Sequence, residues 1–309
     1  MTCRIVTVLI ILWSLCGGSA VCAEDTGLQG DCAADGNSPT VLESDELRVA
    51  TLNIAHGRKD SANQMLLSEE RVRANLLDLA QLLDRAAADA IALQEADAES
   101  AWSGDFDHVE FLLEHSKYGC SVHGIHASNR LYAFGTAVIS PHAFQGGFTH
   151  SFEPSRPTTT KGFSIGALAW NPGGRLSEPV LVKIGSVHLD FSRQSVRRAQ
   201  VAELERLLVN IEGPLVLMGD FNTDWKAEDS SLRHLAERLE LNAFQPAAEG
   251  LGTYGENGAR LDWILVSRDL AFQDYQVYPD IVSDHSAVAA TLRLVDHVGD
   301  RDWYDSSRP

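Results

Sequence analysis

Apolar runs of strand length alternate along this chain with stretches of helical periodicity, and that alternation confines it to a layered α/β domain. Residues 46–54 alternate as a strand, and 90–94 form a short buried run. Further strands are predicted at 136–140, 164–170, 180–190, 215–219, 261–267 and 286–294. Over 68–88, Val72, Leu76, Leu79, Leu83 and Ala87 recur at helical spacing, with Ser68 as cap and Glu69 and Glu70 in the first turn. A second long helix is predicted over 195–211, and shorter ones over 109–115 and near 230–240. Some strands follow one another with no helix between them, so the sheets must be mixed.

The ends of these strands carry the chemistry. In LVLMGDFNTD, residues 215–224, four apolar residues run into Gly219 and then present Asp220, Asn222 and Asp224. Asn53 closes the first strand and Glu95 closes IALQE. His188 and Asp190 end GSVHLD, Asp262 opens DWILV, and Asp284 and His285 precede the last strand in VSDHSAV. One Asp or Asn behind a strand is an ordinary turn residue. Six strand ends bearing metal- or phosphate-binding groups are hard to explain as six independent turns, because α/β sheets gather ligands along one edge.

QE, GDFN, RLDW and SDH, in that order, resemble the endonuclease/exonuclease/phosphatase superfamily over residues 46–295. The resemblance implies a four-layer α/β sandwich, two facing mixed β-sheets flanked by helices, and hydrolysis of a phosphate ester. It assigns Glu95 and Asn53, with Asp284, to a divalent cation: Mg²⁺, with Mn²⁺ or Ca²⁺ as alternatives. Asp220 orients and deprotonates the attacking water, and Asn222 hydrogen-bonds the phosphate or that water. Protonated His285 holds a phosphoryl oxygen and Asp262 pairs with it. His188 resembles the second phosphate-contacting histidine of the DNase, sphingomyelinase and 5-phosphatase branches, which leans away from abasic-site repair. The middle segment, Gly135 to Pro141, lacks the Asn and Arg of many relatives, so whatever those residues contribute is in question here.

Other residues read as substrate contacts with a plain alternative beside each. Arg58, in the loop from His56 to Lys59, suits a phosphate or a leaving group, or is part of a solvated basic loop. Lys161 follows three threonines and suits a phosphate, or an exposed loop. Asp190 should point the same way as His188 and hold it, or simply finish the strand. The stretch from Trp102 to Phe106 stacks on a ring or packs internally.

Charge and the termini bound the partners. A formal net charge of −18 disfavours a grip on nucleic acid, although a local cationic site can override the global field. Arg4 is the only charge before Glu24, residues 5–16 are nearly all apolar, and Val21-Cys-Ala23 fits a cleavage site. Residues 1–23 therefore read as a signal peptide, 24–45 as a flexible linker, and 296–309 as a polar tail. The expectation is an exported monomer, periplasmic or extracellular, with no membrane anchor after cleavage. Outside the signal only Cys32 and Cys120 remain, and whether they pair is open. The leading reading is a metal-dependent phosphodiesterase or phosphatase, followed by a DNase-like endonuclease and a sphingomyelinase-like enzyme. A non-catalytic binding module that keeps the fold is the rival from outside enzymology.

Overall fold

The computed structural model describes residues 31–32, 38–255 and 257–295. The expected signal peptide, much of the expected linker and the C-terminal tail lie outside the described residues. Chain order is β1 (Asp31–Cys32), β2 (Leu47–Asn53), α1 (Glu69–Ala86), β3 (Ala90–Asp97), α2 (His108–Glu114), β4 (Cys120–Ser128) and β5 (Ala133–Ser140). It continues with β6 (Phe144–Ser151), β7 (Gly162–Trp170), β8 (Val180–His188), α3 (Gln194–Leu208), β9 (Leu215–Asp220) and α4 (Ser231–Arg238). The last strands are β10 (Leu241–Ala243), β11 (Asp262–Ser267), β12 (Leu270–Val277) and β13 (Val288–Leu294).

These strands form two mixed sheets. The first runs β1-β4-β5-β3-β2-β13-β12 and the second β10-β11-β9-β8-β7-β6. The parallel pairs are β2 with β3 and β8 with β9, and a long helix, α1 or α3, bridges each of them. All other pairs between strands are antiparallel.

Alternation decides which face each side chain serves. Val49, Val138, Leu168, Ile184, Val216 and Ile264 fill the space between the sheets. Ala50, Leu52, Ile91 and Leu93 face outward and meet Val72, Leu76, Leu79 and Leu83 of α1. Val187, Leu215, Leu217 and Leu265 meet Val201 and Leu204 of α3 and Leu232 and Leu235 of α4. The result is helices, sheet, sheet, helices, and each buried leucine or valine contributes about 1.5–3 kcal/mol. Ser68 caps α1 by accepting from the Arg71 amide at 3.4 Å. Toward the site the inter-sheet filling turns polar. Gln94 Nε2 donates to Ser186 Oγ at 2.9 Å, and Ser186 Oγ donates to the Leu93 carbonyl at 2.7 Å. Those bonds tie β3 to β8 across the gap and fix the two sheets' polar edges relative to each other.

Three differences from the sequence-based expectation have physical causes. Strand β8 stops at His188, because Asp190 turns to cap the start of the next segment. Residues 38–45, expected to belong to a flexible linker, dock on the domain: Leu42 is buried and bridges β7, and Trp170 Nε1 donates to the Ser44 carbonyl at 2.7 Å. Cys32 and Cys120 form a disulfide, which answers the open question of their pairing. Among the described residues, no helix is long and apolar enough to cross a membrane.

Candidate active site

One cavity of about 350 Å³ is lined by Asn53, Arg58, Glu95, His188, Phe191, Asp220, Asn222, Tyr254, Leu261, Asp284 and His285. Its floor is the shared edge of both sheets. Asn53 and Glu95 come from the first sheet, His188 and Asp220 from the second, and Asp284 and His285 from the loop before β13. The register sets His188 beside Asp220, and Asp220 beside Asp262.

Asp220 lies at the centre. Its Oδ2 accepts from Asn53 Nδ2 at 3.1 Å and lies 3.5 Å from His188 Nε2 and 3.8 Å from His285 Nε2. Its Oδ1 accepts from the Asn222 amide at 2.9 Å, which places Asn222 at the turn that follows, with a φ of 49°. Burial, reinforced by Asp262, pushes the Asp220 carboxyl up to about 7 against the opposing pull of His285.

Behind His285, Asp262 Oδ2 lies 2.8 Å from the ring Nδ1 and also accepts from Thr253 Oγ1 at 2.6 Å. Burial alone would lower the His285 imidazolium. The Asp262 carboxylate and its hydrogen bond, with help from Asp220, outweigh it and push the group up to about 10. His188 goes the other way, held well below the ordinary histidine range by burial and by Lys161, whose Nζ is 3.5 Å from Nδ1. The pocket thus holds a cationic and a neutral imidazole on either side of one carboxylate.

Glu95 occupies a bulge in β3, at a φ of 50°, where the pairing with β5 slips between Gln94 and Ala96. The bulge re-aims its side chain into the pocket. Burial opposes its ionisation, yet His56 at 3.3 Å and Lys161 at 3.8 Å hold the carboxyl well below the usual carboxylate range. Asp284 pairs with Arg58 and accepts from Ser283 Oγ at 3.3 Å.

The model of the Endonuclease/Exonuclease/phosphatase family matches residues 50–285, from the first site strand to His285. The chain belongs to that family. Its members are phosphoesterase hydrolases, typically dependent on a divalent metal. The fold is similar to that of a family protein from Leptotrichia buccalis C-1013-b, with a TM-score of 0.62, 18% identity, and coverage of 80% of this chain and 100% of that one. It is also similar to the human Nocturnin catalytic domain with bound sulfate (TM-score 0.60, 18% identity, 82% and 96% covered). A Bacteroides thetaiotaomicron VPI-5482 mannosyl-6-phosphatase gives a TM-score of 0.58 at 16% identity, with 81% and 100% covered. Among curated proteins, none matches the sequence.

The donor set fits the hard cation that this family uses. Glu95, Asp220 and Asp284 offer carboxylate oxygens to one cavity, and Asn53 Oδ1, which accepts from the Ala55 amide at 3.0 Å, retains a second lone pair. Asp220, Asp262 and His285 also bring ligand atoms within 4.8 Å of one another. That trio suits acid–base chemistry better, because a protonated imidazole that bonds a carboxylate has no lone pair for a metal.

Of the sequence-predicted residues, Asn53, Arg58, Glu95, His188, Asp220, Asn222, Asp284 and His285 line the cavity. Asp262 and Lys161 stand behind it, each bonded to a residue that lines it. Asp190 is not brought in. Its Oδ1 accepts from the Ser192 amide and hydroxyl and the Arg193 amide, and its Oδ2 from Thr158, so it shapes the turn that carries Phe191. His56 is buried against Asp97 and does not line the cavity, and the Trp102 indole donates to Asp97 at 2.8 Å. Sequence reasoning missed Asp97, Phe191 and Tyr254, whose ring rests 4.6 Å from that of His285. Only Asp97 carried a signal, two residues beyond Glu95 on the same strand.

Proposed function

We propose that this chain is an exported, divalent-metal-dependent phosphoesterase that hydrolyses a small phosphodiester or phosphomonoester by in-line attack of an activated water. The observation that carries this reading is the placing of Asp220 between a neutral and a cationic histidine, in the same cavity as Glu95 and Asn53. Asp220 takes the proton of the attacking water at Oδ2 as the water oxygen bonds phosphorus; the ester P–O bond opposite breaks, and the alcohol leaves through the cavity mouth, protonated by solvent. The cationic His285 holds a non-bridging phosphoryl oxygen as charge builds there, and Asp262 keeps that ring oriented and charged. Asn222, Arg58 and His188 fix the remaining phosphate oxygens. Glu95 and Asn53, with Asp284, would hold the cation, Mg²⁺ or alternatively Mn²⁺ or Ca²⁺. When bound it supplies further neutralisation of the phosphoryl charge.

Cavity size and charge favour a small ester over a polymer. A pocket of about 350 Å³ in a chain of net charge −18 suits a compact substrate. At its mouth stand Phe191, 63% exposed, and Tyr254, 42% exposed, which suit an ester with a planar or apolar alcohol portion. The disulfide supports export, since such bonds persist in oxidising compartments.

The test is a panel of a chromogenic monoester, a chromogenic diester, plasmid DNA and sphingomyelin, each with Mg²⁺ and with EDTA. Turnover of a small ester, abolished by EDTA and by Asp220→Ala and His285→Ala, is the expected result. Full activity in excess EDTA, or in either variant, would defeat the proposal. Faster turnover of DNA or of the lipid would move the chain to the nuclease or sphingomyelinase reading.

A further inference from the structure

Beneath Glu95 lies a buried chain of polar groups that the chemistry above does not use. His56 sits between two carboxylates. Its Nε2 is 3.3 Å from Glu95 Oε2, and its Nδ1 is 2.6 Å from Asp97 Oδ1. Asp97 is fully buried and further satisfied, its Oδ2 accepting from Trp102 Nε1 at 2.8 Å and from Ser103 Oγ. The His56 ring is walled edge-on by Trp102 at 5.0 Å and Phe134 at 4.7 Å. None of Asp97, Ser103 or Phe134 lines the cavity.

The backbone is bent to build this arrangement. Ala55, His56 and Gly57 have φ of 47°, 53° and 68°, and Glu95 itself has a φ of 50°. Left-handed backbone at non-glycine residues is uncommon and persists where the surroundings over-determine it. Here Asn53 Oδ1 accepts from the Ala55 amide, the Ile54 amide donates to the Gln94 carbonyl at 2.9 Å, and Asn75 Nδ2 donates to the Gly57 carbonyl at 2.9 Å. Strand β2, strand β3 and helix α1 thus all hold the one turn that carries His56. The bulge that lifts Glu95 out of register leaves both it and Asp97 in contact with the same ring.

We propose that His56 is a positioning residue, anchored by Asp97, that fixes the Glu95 carboxylate in the orientation needed to hold the divalent cation. This rests on the metal-dependent reading of the site and adds a function for residues outside it. Metal ligands left free to swing bind weakly, and loss of the groups that orient them typically weakens metal affinity 10- to 100-fold.

The test is Mn²⁺ binding to the mature protein by titration calorimetry, beside thermal melting with and without Mn²⁺. His56→Asn suits the left-handed backbone but is too short to bridge Glu95 and Asp97. Asp97→Asn keeps the shape and carries the test alone if the first variant does not fold. The expected result is a Kd raised 10- to 100-fold in the folded variants, with kcat at saturating Mn²⁺ within about threefold of wild type. Trp102→Phe, which deletes one donor to Asp97, should give a smaller shift in the same direction. A Kd within twofold of wild type in a folded Asp97→Asn protein would overturn the proposal, even if its melting temperature had dropped, because that would be a purely structural role. Glu95→Gln separates the two readings. If it binds Mn²⁺ like wild type, the metal assignment itself fails; if it loses the metal while Asp97→Asn keeps it, only the positioning role fails.

Discussion

His285 and Asp220 face each other at 3.8 Å with opposite protonation demands, and that sets a pH dependence. The proposed mechanism needs Asp220 ionised and His285 protonated. Asp220 is pushed up to about 7 by burial, and His285 up to about 10 by Asp262. The expected kcat/KM profile is a bell, with its acid limb near pH 7 and its alkaline limb near pH 10. Asp262→Asn removes the main support of the imidazolium, so the alkaline limb should fall toward the ordinary histidine value and kcat should drop about 10²–10⁴-fold. A profile whose alkaline limb does not move in that variant would remove His285 from its role as the cationic partner of the phosphoryl oxygen. Stability runs in the same direction. Both folded values are raised, so each group's contribution is complete below its unfolded value and is lost as pH climbs, between about 4 and 7 for Asp220 and between about 6.5 and 10 for His285. Phe191 makes a different residue-scale prediction. It is exposed at the pocket mouth with no core to support, and on the proposed reading it holds substrate, so Phe191→Ala should raise KM roughly 2- to 10-fold for an aryl ester and leave kcat unchanged. A fall in kcat at constant KM would contradict that assignment.

At the scale of elements, β9 shows how a strand is built to deliver a carboxylate to the site. Gly219 has a φ of 143°, and a Cβ there would sit 2.0 Å from the Val187 carbonyl oxygen on the paired strand β8. Only glycine lets β9 keep its pairing with β8 while turning Asp220 into the site. Gly219→Ala is expected to destabilise by roughly 2–4 kcal/mol and to lower kcat in whatever protein still folds, as read by denaturant unfolding and steady-state kinetics. An alanine variant of wild-type stability would mean that β8 and β9 have room to part. Much of this was legible in the sequence. Strands β2, β8 and β9 end at Asn53, His188 and Asp220, the apolar start of β3 leads into Glu95, and α1 is amphipathic with a capping serine. What escaped notice has recognisable causes. Strand β6 contains two adjacent glycines, and β12 is an edge strand with exposed polar residues and a bulge between Phe272 and Asp274, so neither shows a clean period-two alternation in sequence. Asp97 carries a signal in its spacing from Glu95, but the bulge at Glu95 slips the register, so a period-two reading cannot say which contacts it makes. Asp190 misled for the opposite reason: strand geometry was extended two residues too far, into a turn.

The whole molecule is acidic, and its site sets three cations among the carboxylates of Glu95, Asp220, Asp262 and Asp284. Arg58, Lys161 and His285 lie in or against the cavity of a chain whose net charge is −18. A polyanion should therefore be repelled at a distance while a small ester is accepted, and any cleavage of plasmid DNA should rise as salt is added from a low starting level. A cationic nuclease would show the reverse, because its grip weakens with salt. Stability at this scale also depends on a covalent tie. The Cys32–Cys120 disulfide closes a loop across 88 positions and fastens β1 to β4. Cys120 pairs with Ser140 at the C-terminal end of β5, whereas Ala96 and Asp97, next to Glu95, pair with Gly135 and Phe134 near its start, so the tie lies away from the site edge. Breaking it should act on the unfolded chain's freedom and not on chemistry. Cys32→Ser is expected to lose about 2–5 kcal/mol, a fall in Tm on the order of 10 °C, with kcat/KM unchanged at 25 °C. Calorimetry and steady-state assay on the same sample check both halves. Lost activity at an unchanged Tm would instead show that the N-terminal strand shapes the site through the sheet, and that the two ends of β4 and β5 are mechanically linked.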